Sequence, residues 1–496
     1  MASYKTPQAG WANALVGTPP SQPPYVPYRD SEKGQESPLL AAVPSYESVN
    51  TANLAAAPLP QAAPPRRSRV DKFWTRVGYC LALTLVCVFL APRVYHRVQN
   101  AVSYGEHSGI MHGFPGAASD HPECVENARW SNHDEELEHH HGADVYPHDF
   151  RHLVKTSFNL PLNSELLYFL AHGTLSHGAI EIIDDGENGD DKVVVDVSLL
   201  YIHDVALEKV EVCRLHRGSS GNGVGIFSPH SLPPHHHHDE YRTHFSVTVH
   251  LPNGAGNRHF YEAFETDMPI FVHHVGDLDE SAAFGKINFK TSNSPIHVQS
   301  LTTEVGRVQT SNSPIDGKIA ASKALDLHSS NGPLKVDITL SNKDGAASKL
   351  VLHTTNSPIR SGITLVSLKE DGNGGSFDIN ASSSNGPVDL IFPSAPTDST
   401  LKLDTHTSNS PIRVTLHKSY EGSYDMQTSR WSQPTLNYDE GVEDPAGRGR
   451  RRVVETHTYG KGRASGNVKW TGGDANARET GSVKLSTSNA GLHLNL

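Results

Sequence analysis

The stretch Asn293-Ser294-Pro295-Ile296-His297-Val298 decides the reading of this chain, because it returns. The same phrase stands at Asn312-Ser313-Pro314-Ile315, Asn331-Gly332-Pro333-Leu334, Asn356-Ser357-Pro358-Ile359, Asn385-Gly386-Pro387-Val388 and Asn409-Ser410-Pro411-Ile412. Asp267-Met268-Pro269-Ile270 is an earlier copy with Asp for Asn. Asn489-Ala490-Gly491-Leu492 is a late copy without its proline, and Ser176-His177-Gly178-Ala179-Ile180 reads as a worn first one. From Pro269 to Pro411 the gaps are 26, 19, 19, 25, 29 and 24 residues. Periods near 20 to 30 mean one supersecondary unit repeated.

Working outward, each phrase lies between two alternating patterns. Ile287-x-Phe289, Leu325-x-Leu327, Leu350-x-Leu352, Phe377-x-Ile379 and Val483-x-Leu485 come before it, each followed by a polar residue and a Thr/Ser pair. Ile296-x-Val298, Leu334-x-Val336, Val388-x-Leu390 and Ile412-x-Val414 come after it. Period two is the strand period, and no helical period appears from Lys286 to Leu416. Asn tolerates left-handed backbone and bonds its own main chain. Ser or Gly keeps the corner small. Proline presets φ but removes a ladder donor, so it cannot lie in mid-sheet. A proline at one place in every repeat therefore marks a corner. The fold class that follows is all-β: a parallel β-solenoid with one coil per repeat. Its structural turns are Asn293 and Pro295, Asn312 and Pro314, Asn331 and Pro333, Asn356 and Pro358, Asn385 and Pro387, Asn409 and Pro411. The asparagines would lie above one another and form a side-chain ladder. An antiparallel sandwich with a favoured hairpin turn is the other reading, but such hairpins use Asn-Gly without a following proline. In the solenoid, His297, Asp316, Lys335, Arg360, Asp389 and Arg413 fill one outward slot on successive coils.

The amino-terminal 72 residues differ in kind. Met1 to Pro65 holds 12 of the 32 prolines, too little apolar surface to offset ordering entropy, and reads as a disordered cytosolic tail. Phe73–Ala91 is FWTRVGYCLALTLVCVFLA, long and apolar enough for one transmembrane helix that contacts membrane lipid. Arg66, Arg67, Arg69 and Lys72 precede it, which by the positive-inside rule keeps the amino terminus cytosolic. The chain carries −12 overall and Met1–Arg76 carries 8 basic and 5 acidic residues, so the remainder carries −15. That acidity argues against nucleic acid as a partner. The expectation is a single-pass type II protein with an extracellular or lumenal carboxy-terminal part. Cys80 and Cys87 lie in the span; Cys124 and Cys213 remain for one disulfide in an oxidising compartment, or stay as two free thiols. Asn380-Ala381-Ser382 is the one usable N-glycosylation sequon.

Between span and repeat, residues 92–157 read as a His-rich flexible stalk and 158–275 as an irregular β subdomain or first coils. Residues 276–419 are the regular coils. Residues 420–480 are a long insertion with the basic loop Arg448–Arg452, and 481–496 a terminal coil closing the stack. Of 31 histidines, 24 lie between His96 and His274. Adjacent histidines such as His235-His236-His237-His238 lack the fixed geometry of a metal centre, so no metal and no cofactor are expected.

The repeated phrase resembles the family of stacked β-repeats described as putative adhesins (DUF4097-like domains), over about a third of the chain. With a Pro-rich tail and one span it is also similar to a set of fungal single-pass membrane proteins. The resemblance implies a membrane-tethered, adhesin-like binding or scaffold module facing cell-wall polysaccharide or a surface protein, and it brings no catalytic residues. The alternative is a carbohydrate-active enzyme, a polysaccharide lyase or hydrolase on a parallel β-helix. Against it, the outward slots mix charge signs and no G-x-S-x-G, H-E-x-x-H or Cys-x-x-Cys is present.

Overall fold

The computed structural model describes residues 123–139, 150–186, 192–232, 238–253, 258–343, 345–458, 461–472 and 481–496. The expected cytosolic tail, the span Phe73–Ala91 and His235–His237 lie outside the described residues. Among the described residues no helix is long and apolar enough to cross a membrane.

The fold is all-β, one mixed sheet whose strands fall into two rows. The chain alternates between the rows and changes row at the proline phrases. In the first row, Ala282–Lys290, the second half of Ile296–Thr310, the second half of Ile315–Ser329, Ser348–Thr354, Ser376–Ser383 and Thr400–Thr407 pair parallel in succession. In the second row, Phe271–Asp277, the first halves of the same two long strands, Leu334–Asn342, Ile359–Ser367, Val388–Ile391 and Ile412–Thr415 do the same. Equivalent repeat positions are in register: Ile296, Ile315, Leu334, Ile359, Val388, Ile412 and Leu492 form one continuous column. Every member is buried.

Inward residues of both rows meet in one apolar core that runs from Val154 to Leu494. Each fully buried aliphatic side chain contributes about 1.5–3 kcal/mol. The alternation that announces the strands is thus the same alternation that fills the core, and the lost proline N–H groups fall at the corners where no ladder needs them.

Both ends of the rows are closed by antiparallel strands, which remove the open parallel edges. At the amino-terminal end His152–Pro161 pairs with Lys192–Tyr201, which pairs with Thr243–Pro252, which joins the parallel strand Gly178–Gly186. In the other row Glu123–Asn127 pairs with Glu211–Arg217, and that with Gly221–Phe227. The segment expected to be a flexible stalk is therefore structured from Glu123 onward where it is described. Two short strands and the helix Asp134–His139 lie there. Its polar composition misled because an edge strand needs few apolar residues.

The carboxy-terminal end corrects two further expectations. Residues 420–480 do not interrupt the stack. Gly422–Gln427 and Thr435–Asn437 form a further coil, and Arg463–Thr471 and Arg451–Thr458 cap it antiparallel. Gly481–Thr487 and Leu492–Asn495 do not close the stack either. They lie between the coil Thr400–Thr415 and the coil Gly422–Asn437, paired parallel with both. Parallel pairing permits this, because a strand with Val483-x-Leu485 inward offers the same apolar surface to either neighbour.

Candidate binding face

The corners show why each residue of the phrase is there. Asn312 donates its side-chain amide to Asn293, Asn331 to Asn312, Asn356 to Asn331, Asn385 to Asn356, Asn409 to Asn385 and Asn489 to Asn409, at 2.6–2.8 Å. The late copy at Asn489 thus joins the ladder although it lacks proline. The proline carbonyls continue the main-chain ladder: Ile296 N–H donates to Pro314, Ile315 to Pro333, Leu334 to Pro358 and Ile359 to Pro387, at 2.9–3.1 Å. Beneath the asparagines runs a second column, Thr291, Thr310, Ser329, Thr354, Ser383, Thr407 and Thr487, all buried. Their hydroxyls donate to carbonyls of the preceding corner, as Thr354 does to Ser330 and Gly332. The Thr/Ser pair before each phrase was legible in the sequence; its role inside the corner was not. Where that hydroxyl is a serine, the corner residue is glycine: the Gly332 and Gly386 N–H groups donate to the Ser329 and Ser383 hydroxyls. A Cβ on Gly332 would stand 1.6 Å from the Ser313 carbonyl oxygen.

Just after each proline the outward slot forms a charge ladder across the second row. His297 neighbours Asp316, Asp316 neighbours Lys335, Lys335 neighbours Arg360, Arg360 neighbours Asp389, and Asp389 neighbours Arg413. The column extends beyond the expected residues, through His274 to Glu181 on one side and to His493 on the other. His297 Nδ1–H donates to the Asp316 carboxylate at 2.9 Å and stacks on His274 at 5.4 Å. Asp389 serves Arg413 at 3.1 Å and Arg360 at 3.9 Å. Lys335 stands beside Arg360, the like-charge contact of the ladder. Around them, between Pro314, Pro333 and Pro358, lies an open groove of about 670 Å³. A second hollow of about 380 Å³ shares its Lys318 and Asp337. The two adjoin across consecutive coils.

The other sequence-derived positions separate. Cys124 and Cys213 form a disulfide, with Cα atoms 5.7 Å apart, between two paired strands of the amino-terminal cap. Asn380 is exposed in mid-strand between Val351 and Asp404, and the Ser382 hydroxyl of its sequon meets His353 Nδ1 at 2.8 Å. The basic loop is not a free cationic patch. Arg448 makes two bonds to Asp398. Arg450 makes two to Asp444, at 2.9 and 3.1 Å, which hold that carboxyl far below the usual range, and it lies over the Trp470 ring. Arg452 is buried. His273 was not singled out in the sequence, yet it is fully buried. Its Nδ1–H donates to the Phe271 carbonyl at 3.0 Å and its Nε2 faces the Thr266 hydroxyl at 2.8 Å. Burial pushes its pKa down to about 4.

No protein-family model matches the chain, and no curated protein matches it. Solved structures do. A "putative cell adhesion protein" from Clostridium sporogenes is similar at 10% identity over 69% of this chain and 99% of that one, with a TM-score of 0.15. A "putative adhesin" from Bacteroides fragilis is similar at 11% identity over 69% and 97%, TM-score 0.23. A "putative lipid binding protein" from Parabacteroides distasonis is similar at 11% identity over 53% and 90%, TM-score 0.19.

Proposed function

We propose that the chain is a membrane-anchored β-solenoid that acts as an adhesin-like binding or scaffold module outside the cytosol. Phe73–Ala91 is its anchor and membrane-lipid contact. The outer face of the second row is its contact surface, for an extended cell-wall polysaccharide or the edge of a surface protein. The observation that carries this reading is the in-register polar column from Glu181 to His493. Its rungs repeat at roughly 4.8 Å, so it presents charged and polar groups of both signs at an even spacing along a line. That suits a polymer better than a small substrate, which needs a concave site with converging groups. On this reading the protein turns over no substrate.

The test is a glycan array and a surface-protein pull-down with the full chain, alongside a variant carrying Lys335→Ala and Arg360→Ala. Retention of an extended polymer or a protein by the parent and its loss in the variant supports the reading. Release of new reducing ends from a bound polysaccharide, or retention unchanged by the two substitutions, overturns it.

A further inference from the structure

Arg452 stands on the strand Arg451–Thr458 directly opposite Trp470 of Arg463–Thr471, in antiparallel register. Both residues face inward, at 4% and 7% exposure. None of the three guanidinium nitrogens of Arg452 has a hydrogen-bond partner, and neither has Trp470 Nε1. His417, 5% exposed, follows the last strand of the regular coils. Its Nδ1 lies 2.6 Å from the Ser419 hydroxyl, while its Nε2 has no partner. Burial, and then the charge of Arg452, pushes this ring down to about 4. Asp439 is the carboxylate whose field reaches Arg452, yet it accepts no hydrogen bond from it.

Two neighbouring arginines are matched, Arg448 by Asp398 and Arg450 by Asp444. Arg452 is buried without such a partner, and its surroundings are chemically one-sided. A guanidinium and an indole N–H only donate, and His417 donates from Nε2 when Nδ1 accepts the Ser419 hydroxyl. Buried donors without acceptors are costly, and a buried charge without one more so. An acceptor-only, negatively charged group with several lone pairs satisfies the Arg452 and Trp470 donors together. We propose that Arg452 and Trp470 form a binding site for an oxoanion or carboxylate at the carboxy-terminal cap. This site shares no residue with the outer face of the second row and stands apart from the function proposed for it.

The experiment titrates the full-length protein at constant ionic strength with sodium phosphate, sodium sulfate and the uronic acid galacturonate, with chloride as reference. Calorimetric heat and melting temperature are read. At least one ligand should bind saturably and raise the melting temperature. Arg452→Met should lose that binding, while Arg451→Met, on the exposed side of the same strand, should keep it. Trp470→Phe should bind about tenfold more weakly, the equivalent of one lost charge-assisted hydrogen bond. Arg452→Met removes an unpaired buried charge and should melt in chloride no lower than the parent; were it to misfold, Trp470→Phe carries the test. Binding of phosphate or sulfate alone assigns the site to a free inorganic anion, and binding of galacturonate to a sugar carboxylate. No saturable binding by any of the three, equal binding by Arg452→Met, or unweakened binding by Trp470→Phe overturns the site.

Discussion

At the scale of single residues, inward and outward neighbours on one strand should respond in opposite ways. Leu334 is 2% exposed in the central column, between Ile315 and Ile359. Leu334→Asp places an unpaired charge between two coils and should cost at least about 3 kcal/mol. Lys335 next to it is exposed, and Lys335→Ala should stay within about 0.5–1 kcal/mol. Urea unfolding of the two variants checks this, and similar losses would contradict the assigned faces. Two buried histidines make a second prediction. His273 and His417 both have folded pKa values of about 4, lowered first by burial. Below about pH 6.5 the unfolded chain binds protons that the folded rings refuse. Stability should therefore fall as pH drops from about 6.5 towards 4, by about 2 kcal/mol per ring between pH 7 and 5. Urea melts at the two pH values measure the slope, and His417→Gln should lessen the loss between pH 7 and 5 by about 2 kcal/mol. A flat profile would mean that the rings accept protons in the folded state.

At the scale of elements, the place of the last strands makes a third prediction. Gly481–Thr487 separates Thr400–Thr407 from Gly422–Gln427, and Leu492–Asn495 separates Ile412–Thr415 from Thr435–Asn437. Deleting residues 481–496 should strip Gly422–Gln427 and Thr435–Asn437 of their parallel partners, leave Thr400–Thr407 and Ile412–Thr415 with one each, and expose Leu403, Val414, Tyr424 and Met426. In a stack where each coil contacts only its neighbours, the loss should stay local. Hydrogen exchange should show residues 420–472 deprotected while Ile315–Ser329 and Leu334–Asn342 keep their protection. Uniform loss along the chain would instead mean one indivisible cooperative unit. The same arrangement explains what the sequence could show. The corners at Asn293, Pro295 and their repeats were legible because the constraint is local: proline fixes φ, removes a donor and recurs. The outward slot from His297 to Arg413 followed from the same register. The order of the final coils was not legible, because Val483-x-Leu485 fits equally beside Leu403 or Tyr424. The caps were hidden for a related reason. Pairing His152–Pro161 with Lys192–Tyr201 is a long-range choice that no local pattern marks. Arg452 was read only as part of the basic loop, since burial of one arginine among four leaves no trace in composition.

At the scale of the whole molecule, the proposed membrane topology rests on charge and covalent chemistry. Residues up to Arg76 carry +3 and those beyond carry −15. The positive flank Arg66–Lys72 borders Phe73–Ala91, and anionic cytosolic lipid surfaces retain such flanks. Beyond it, Cys124 and Cys213 are joined at the edge of the amino-terminal cap, a bond that persists in oxidising compartments and is rare in the cytosol. Asn380 stands exposed on the outer face of the first row. The proposed topology places Leu496 on the far side of the membrane from Met1. A carboxy-terminal tag should then be protected from protease in sealed microsomes and digested once detergent is added, while an amino-terminal tag is digested in both. Non-reducing gels should show Cys213→Ser running more slowly than the parent, because opening the 89-residue separation between the cysteines expands the denatured chain. Glycosidase treatment should shift the parent but not Asn380→Gln. A carboxy-terminal tag cut without detergent would reverse the topology. It would also remove the oxidising side on which the disulfide and the proposed extracellular contact depend.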